Sequence, residues 1–302
     1  MKVLIVGLGS IARKHIAALR RIDPDVEICA LRSGAGGSSV PGVRDIRNLD
    51  ELDGRPDFAV ISNPTSRHAD AIRALLPLDV PLFIEKPLFA DLGHEELLEE
   101  IRRRGTLTYV ACNLRFSDTL QFLHDHAGAL HVNEVNVYCG SYLPEWRPGT
   151  DWRRCYSARP ELGGGVHLDL IHELDYVHWI FGDPLRTRKT LRHASSLGIE
   201  AVDYANYCLE YKDFCVSVIL NYFRRDYRRT VEIVADEGTW TADLGAGRVT
   251  DAGGRVVFES RQADRDDYWE QMKYFLSLLG KDAPAPFNDV FEAYEVLKLC
   301  LE

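Results

Sequence analysis

Apolar residues in the first 115 positions fall into short blocks separated by stretches of helical spacing. Residues 2–6 read as a buried strand, and Ile11, His15, Ala18 and Leu19 recur at the helical period over residues 11–21. Residues 26–31 form a second apolar block, followed by a Gly/Ser stretch at 33–39. Strand-like blocks then stand at 57–62, 81–85 and 106–112, with helical patterns at 66–76 and 91–104 between them. Short strands alternating with helices call for right-handed crossovers and a parallel sheet covered on both faces.

The pattern changes beyond about residue 118. A helix leads to a strand at 132–139, and an aromatic loop rich in Gly and Pro runs from 140 to 165. One helix is expected over 168–181. Blocks near 185–192, 204–211, 215–222, 230–235, 239–243 and 255–258 then follow with turns and no intervening helix, and helices near 265–279 and 288–301 close the chain. The expected architecture is an α/β Rossmann domain over 1–117 and an α+β domain with a large, open, mostly antiparallel sheet over 118–302.

Composition narrows the function. A formal net charge of −10 argues against nucleic acid and against anionic membrane surfaces. The opening MKVLIVGLGS reads as a strand entering a helix, and no stretch reaches the roughly 20 apolar residues of a membrane span. Seven cysteines without a CxxC pair suit reduced thiols in a cytoplasmic protein.

Gly7-Leu8-Gly9-Ser10-Ile11-Ala12 follows a strand and opens a helix, the context a dinucleotide fingerprint requires. Gly7 permits the turn, Gly9 admits a pyrophosphate, and Ala12 keeps helix and strand close; Ser10 and Ile11 begin the helix whose N–H groups would meet the phosphates. NAD binders usually end the second strand on Asp or Glu. Arg32 and Ser33 stand there instead and are suited to a 2′-phosphate, so NADP(H) is the expected cofactor, with NAD(H) second.

Three more stretches carry a resemblance: Asn63-Pro64-Thr65-Ser66-Arg67-His68, Ile84-Glu85-Lys86-Pro87, and the run from Gly163 through His167, Asp169 and His172 to Asp175. With the N-terminal fingerprint, in this order and over nearly the whole chain, they resemble the family of glucose–fructose oxidoreductase, inositol dehydrogenase and MocA. The DLxHELDY form is similar to a subgroup associated with bacterial surface-polysaccharide pathways. The resemblance implies a catalytic Lys86, Asp169 and His172 that converge on one carbon from two domains. It also implies cofactor contacts from Asn63, Pro64, His68, Glu85 and Lys86. Many relatives space the Asp and His by four residues and this chain by three; on a continuous helix either spacing keeps them on one face.

The roles are chemically reasonable. Oxidising a secondary alcohol needs a group to take the hydroxyl proton while hydride leaves the same carbon. His172 suits proton transfer, Lys86 can polarise the oxygen, and Asp169 can orient His172 or accept a substrate hydroxyl. Asn113, Arg115, Trp146, Trp152, Arg153 and Tyr156 are the substrate-binding candidates, a mixture able to stack on a sugar ring and pair with phosphate or carboxylate. His172-Glu173 opens like HExxH, but Tyr176 occupies the second ligand position, so no metal is expected. The expected enzyme is a homodimer or homotetramer acting on a sugar-like substrate, a nucleotide sugar or amino-sugar derivative among the candidates. An enzyme that holds NAD through a transient oxidation, as in a glycosidase or epimerase, and a non-catalytic nucleotide-binding regulator are the rival classes.

Overall fold

The computed structural model describes residues 1–34, 39–260, 266–280 and 287–302. Most of the Gly/Ser stretch and the expected helix start at 265 lie outside them. The chain divides into two compact units, Met1–Asn113 with Asp266–Leu297, and Leu114–Arg265 with Lys298–Glu302. The expected boundary gives all of 118–302 to the second domain, whereas Asp266–Leu297 groups with the first unit, where Phe275 packs on Phe58 and Phe83.

The first unit holds six parallel strands, β1 (Lys2–Val6), β2 (Glu27–Leu31), β3 (Val43–Ile46), β4 (Phe58–Ile61), β5 (Leu82–Glu85) and β6 (Thr108–Ala111), in the order 3-2-1-4-5-6. Strand β3 was not expected, since Val43-Arg44-Asp45-Ile46 is an edge strand with two apolar residues. Three helices belong to its N-terminal part: α1 (Ser10–Ile22), α2 (His68–Leu75) and α3 (Glu95–Arg104). Helix α1 buries Ala12, His15, Ile16, Ala18 and Leu19, one stripe at helical spacing, and packs on α7 (Asp267–Leu278). Phe275 of α7 meets Phe58 and Phe83 edge-on at 5.1 and 5.4 Å between centroids.

The second unit contains α4 (Asp118–Ala127), α5 (Val166–Asp169), α6 (His172–Phe181) and eight strands. These are β7 (Val132–Tyr142), β8 (Arg186–Arg192), β9 (Tyr204–Glu210), β10 (Cys215–Asn221), β11 (Phe223–Ala235), β12 (Gly238–Asp243), β13 (Arg248–Asp251) and β14 (Val256–Glu259). Their order is 14-13-12-11-7-10-9-8, and among the described residues β7 and β10 are the only neighbours that run parallel. Alternation divides the faces: Val135, Val137, Tyr207, Val218 and Ile233 are buried, whereas Asn136, Asn206, Ser217 and Glu232 point the other way. That second face is mixed, with Tyr138 and Ile219 beside Asn136, Asn206 and Glu232. The last helix, α8 (Val290–Leu301), carries Cys300 in its final turn, and the Cys300 carbonyl accepts from the Tyr207 hydroxyl.

One expected helix is two. The segment from Val166 breaks after Asp169, where Leu170 adopts φ −102° and ψ 32°, and α6 starts at His172. The Ile171 N–H reaches back only three residues, to Leu168, instead of continuing the four-residue ladder. Asp169 and His172 therefore do not share the face of one helix.

Candidate active site

At the carboxyl edge of the first sheet, Gly7 leaves β1 with φ +86°. A Cβ there would stand 2.9 Å from the backbone N and Cα of Asn63, so only glycine lets the turns after β1 and β4 lie together. Helix α1 then begins with Gly9 as its N-cap, no side-chain cap and no acid in the first turn. A Cβ on Gly9 would meet nothing within 4 Å. Open N–H groups, positive dipole and open space are what a pyrophosphate needs, and Ala12, fully buried, permits the close helix packing. The residues present thus fit the dinucleotide expected from the fingerprint.

Lys86 follows β5 at this same edge and in this same unit. Two residues expected to meet the cofactor also join protein groups around it. His68 is 1% exposed, with Nδ1 3.1 Å from the carbonyls of Pro87 and Leu88 and Nε2 3.0 Å from that of Asn63. It ties the loop after β4 to the loop after β5, and burial lowers its pKa. Glu85 is also buried: Oε1 lies 2.5 Å from His15 Nε2, and Oε2 accepts the Lys86 backbone N–H at 3.2 Å. The carboxylate locks the start of the Lys86 turn to α1, a link the sequence did not reveal because His15 reads as an ordinary helix position. Asn63 is half-buried and Pro64 exposed.

Arg32, expected at a cofactor phosphate, pairs with Asp45 of β3 at 2.5 Å, its side chain 10% exposed. Ser33 beside it is exposed.

In the second unit, a Cβ on Gly164 would run into the carbonyl oxygens of Tyr156 and Arg159, which is why the loop can turn there into α5. Asp169 ends α5, and its Oδ2 accepts from the buried Tyr222 hydroxyl at 2.5 Å. Burial first, and the Asp169 carboxylate second, push the Tyr222 pKa well above its ordinary value, so the phenol stays a donor. Trp146 packs its ring edge-on against Tyr222 at 5.3 Å and donates its indole N–H to Ser141. The structure therefore joins Asp169 and Trp146 through Tyr222, a residue the sequence reading missed because a tyrosine closing a strand carries no motif. His172 opens α6 and is 8% exposed.

The other substrate candidates divide. Arg115 is 1% exposed and grips Asp175 of α6, with Nη2 2.7 Å from Oδ1 and Nε 3.0 and 3.2 Å from the two oxygens. These bonds anchor α6 to the segment that follows β6. Tyr156 spends its hydroxyl on the Gly163 carbonyl at 2.7 Å. Arg153 lies over the Trp152 ring at 4.2 Å and borders a cavity of about 370 Å³ with Arg154, Arg159 and Ile199. Asn113 is half-buried at the end of the first unit's leading segment. Among the described residues, no helix is long and apolar enough to cross a membrane.

Comparison with known proteins gives two family matches. An oxidoreductase family model described as an NAD-binding Rossmann fold covers residues 1–112, and the C-terminal alpha/beta domain of the same family covers 125–299. Among curated proteins, the inositol 2-dehydrogenase of an Arthrobacter species is 25% identical over 42% of this chain and 42% of its own length. The myo-inositol dehydrogenase Hyg17 of Streptomyces leeuwenhoekii is 25% identical over 60% and 56%. The chain thus spans about half the length of these curated relatives. Among solved structures, the WlbA dehydrogenase of Bordetella pertussis, in complex with NADH and UDP-GlcNAcA, aligns with a TM-score of 0.79 at 17% identity over 99% of this chain and 93% of that one. The UDP-N-acetylglucosamine 3-dehydrogenase GnnA of Acidithiobacillus ferrooxidans aligns with a TM-score of 0.78 at 18% identity over 99% and 95%.

Proposed function

We propose that this chain, which belongs to the oxidoreductase family of glucose–fructose oxidoreductase, inositol dehydrogenase and MocA, transfers hydride between a nicotinamide cofactor and a secondary hydroxyl or ketone of a sugar-like substrate. The observation that carries the reading is local to one unit: Lys86 leaves β5 at the same sheet edge as the glycine turn and uncapped helix N-terminus that fit a dinucleotide. Gly7, Gly9, Ser10, Ile11 and Ala12 would hold the pyrophosphate, with Asn63 and Pro64 beside them, and Arg32 and Ser33 would favour NADP(H) over NAD(H). The bound nicotinamide supplies the hydride chemistry.

In this reading Lys86 polarises the reacting oxygen, and His172 takes or returns the hydroxyl proton. Asp169, held as an acceptor by Tyr222, receives a substrate hydroxyl. Trp146, Trp152 and Arg153 contribute stacking and charge for the substrate. We favour nucleotide sugars as the class, since WlbA and GnnA are named or captured with UDP-linked sugars, with amino-sugar derivatives and cyclitols next. The enzyme works in the cytoplasm as a homodimer or homotetramer. The outward face of the second sheet suits self-association, with Arg186, Arg188 and Arg192 at one edge and Glu134 and Glu232 further in.

The test is turnover with NADPH and NADH against a panel of sugar nucleotides, repeated with Lys86→Ala. The variant should lose turnover while calorimetric cofactor affinity stays within about threefold of wild type, a change of under 1 kcal/mol. Full turnover in that variant would refute the assignment.

A further inference from the structure

The end of β2 carries an arginine where NAD binders present a carboxylate to the ribose. A carboxylate is nevertheless present, one strand away. Asp45 pairs with Ala30 across the β2–β3 ladder, two residues before Arg32, and its Oδ2 lies 2.5 Å from Arg32 Nη1. The Arg32 side chain is nearly enclosed, whereas that of Asp45 is 31% exposed. The segment after β2 is pinned as well, because Arg47 donates to the carbonyls of Arg32 and Gly34. The guanidinium is therefore held against a carboxylate at the point where the two cofactors differ.

We propose that Asp45 is a specificity-determining residue that tempers the choice between NADPH and NADH. This rests on the nicotinamide-cofactor reading above. A 2′-phosphate arriving at Arg32 must share the guanidinium with Asp45 and meets a like charge at close range, which costs affinity. A 2′-hydroxyl meets the opposite situation, because it can donate a hydrogen bond to the partly exposed carboxylate. The acid missing from β2 is thus supplied by β3. The pair narrows the preference for NADPH that Arg32 alone would give, without reversing it.

The experiment is calorimetric titration of the cofactor-stripped full chain with NADPH and, separately, NADH, for wild type, Asp45→Asn and Asp45→Glu. Asp45→Asn keeps the shape and removes the charge. NADPH should bind on the order of fivefold to tenfold more tightly in it, as expected for loss of one partly screened charge. NADH should bind no better than to wild type, and Asp45→Glu should keep the wild-type ratio. If circular dichroism shows Asp45→Asn unfolded, Asp45→Ser takes its place with the same expectation. An unchanged NADPH/NADH ratio with both cofactors still bound overturns the role of Asp45 alone. Binding of neither cofactor by folded wild type overturns the cofactor reading and this inference together.

Discussion

Replacing Arg115 by Met isolates the buried ion pair that holds α6. In the native protein three N–H···O approaches of 2.7 to 3.2 Å connect Arg115 to Asp175, and the two side chains are 0% and 1% exposed. Solvent screening, which reduces most surface pairs to under about 1 kcal/mol, does not operate here. Removing the guanidinium leaves a carboxylate buried without its countercharge, at a cost of about 3–5 kcal/mol. That is a large share of the roughly 5–15 kcal/mol that holds a domain together. The Arg115 guanidinium lies 5.6 Å from the Trp179 ring on α6, so tryptophan fluorescence during urea unfolding reports on the affected element. We expect the transition of Arg115→Met to move to markedly lower urea, and the double change Arg115→Met with Asp175→Leu to recover most of the loss, since an apolar pair carries no stranded charge. A single variant within about 1 kcal/mol of wild type, or a double variant no better than the single, would show that the pair does not anchor the helix. Because Asp175 lies one turn beyond His172, the single variant should also lower kcat while cofactor affinity is retained.

Two further outcomes follow from the buried hydroxyl and imidazole groups. Tyr222→Phe removes the donor to Asp169; a hydrogen bond to a charged group contributes about 1.5–3 kcal/mol, so kcat should fall on the order of tenfold or more at unchanged cofactor affinity, and an unaltered kcat would separate Asp169 from catalysis. Burial lowers the His167 pKa from 6.5 to about 4, so between those values the unfolded chain binds a proton that the folded chain refuses. Stability should therefore fall as pH drops from about 6.5 to about 4, by about 3 kcal/mol in total, with no further loss from this group below that window. Denaturant titrations of wild type and His167→Gln at pH 7 and pH 4.5 measure it, and equal acid sensitivity in the two would refute the assignment.

The parallel sheet and the glycine turn were legible because both rest on local rules: apolar blocks of strand length, and Gly7, Gly9 and Ala12 at fixed offsets. Strand β3 escaped because an edge strand needs little apolar content. The break at Leu170 escaped because residues on both sides of it keep helical composition, and the departure is one of backbone angle. His68, Glu85 and Arg115 stand in motif positions and bond neighbouring protein groups: spacing marks a polar residue without telling whether its partner is a ligand or the chain itself. Tyr222, Asp175 and Asp45 acquire meaning only from pairings across 53, 60 and 13 residues, which no periodicity encodes.

The return of α7 to the first sheet has a consequence for how the protein is made. Phe275 meets Phe58 and Phe83 inside the first unit, yet it emerges from the ribosome only after the whole segment 114–265. At usual elongation rates that interval is roughly eight to thirty seconds. Throughout it the nascent first sheet has part of its aromatic core without its partner, an exposed apolar surface of the kind that chaperones bind. Vectorial synthesis therefore ties completion of the first unit to completion of the chain, and a truncated product arrested before α7 would reach the cell with its leading sheet unfinished.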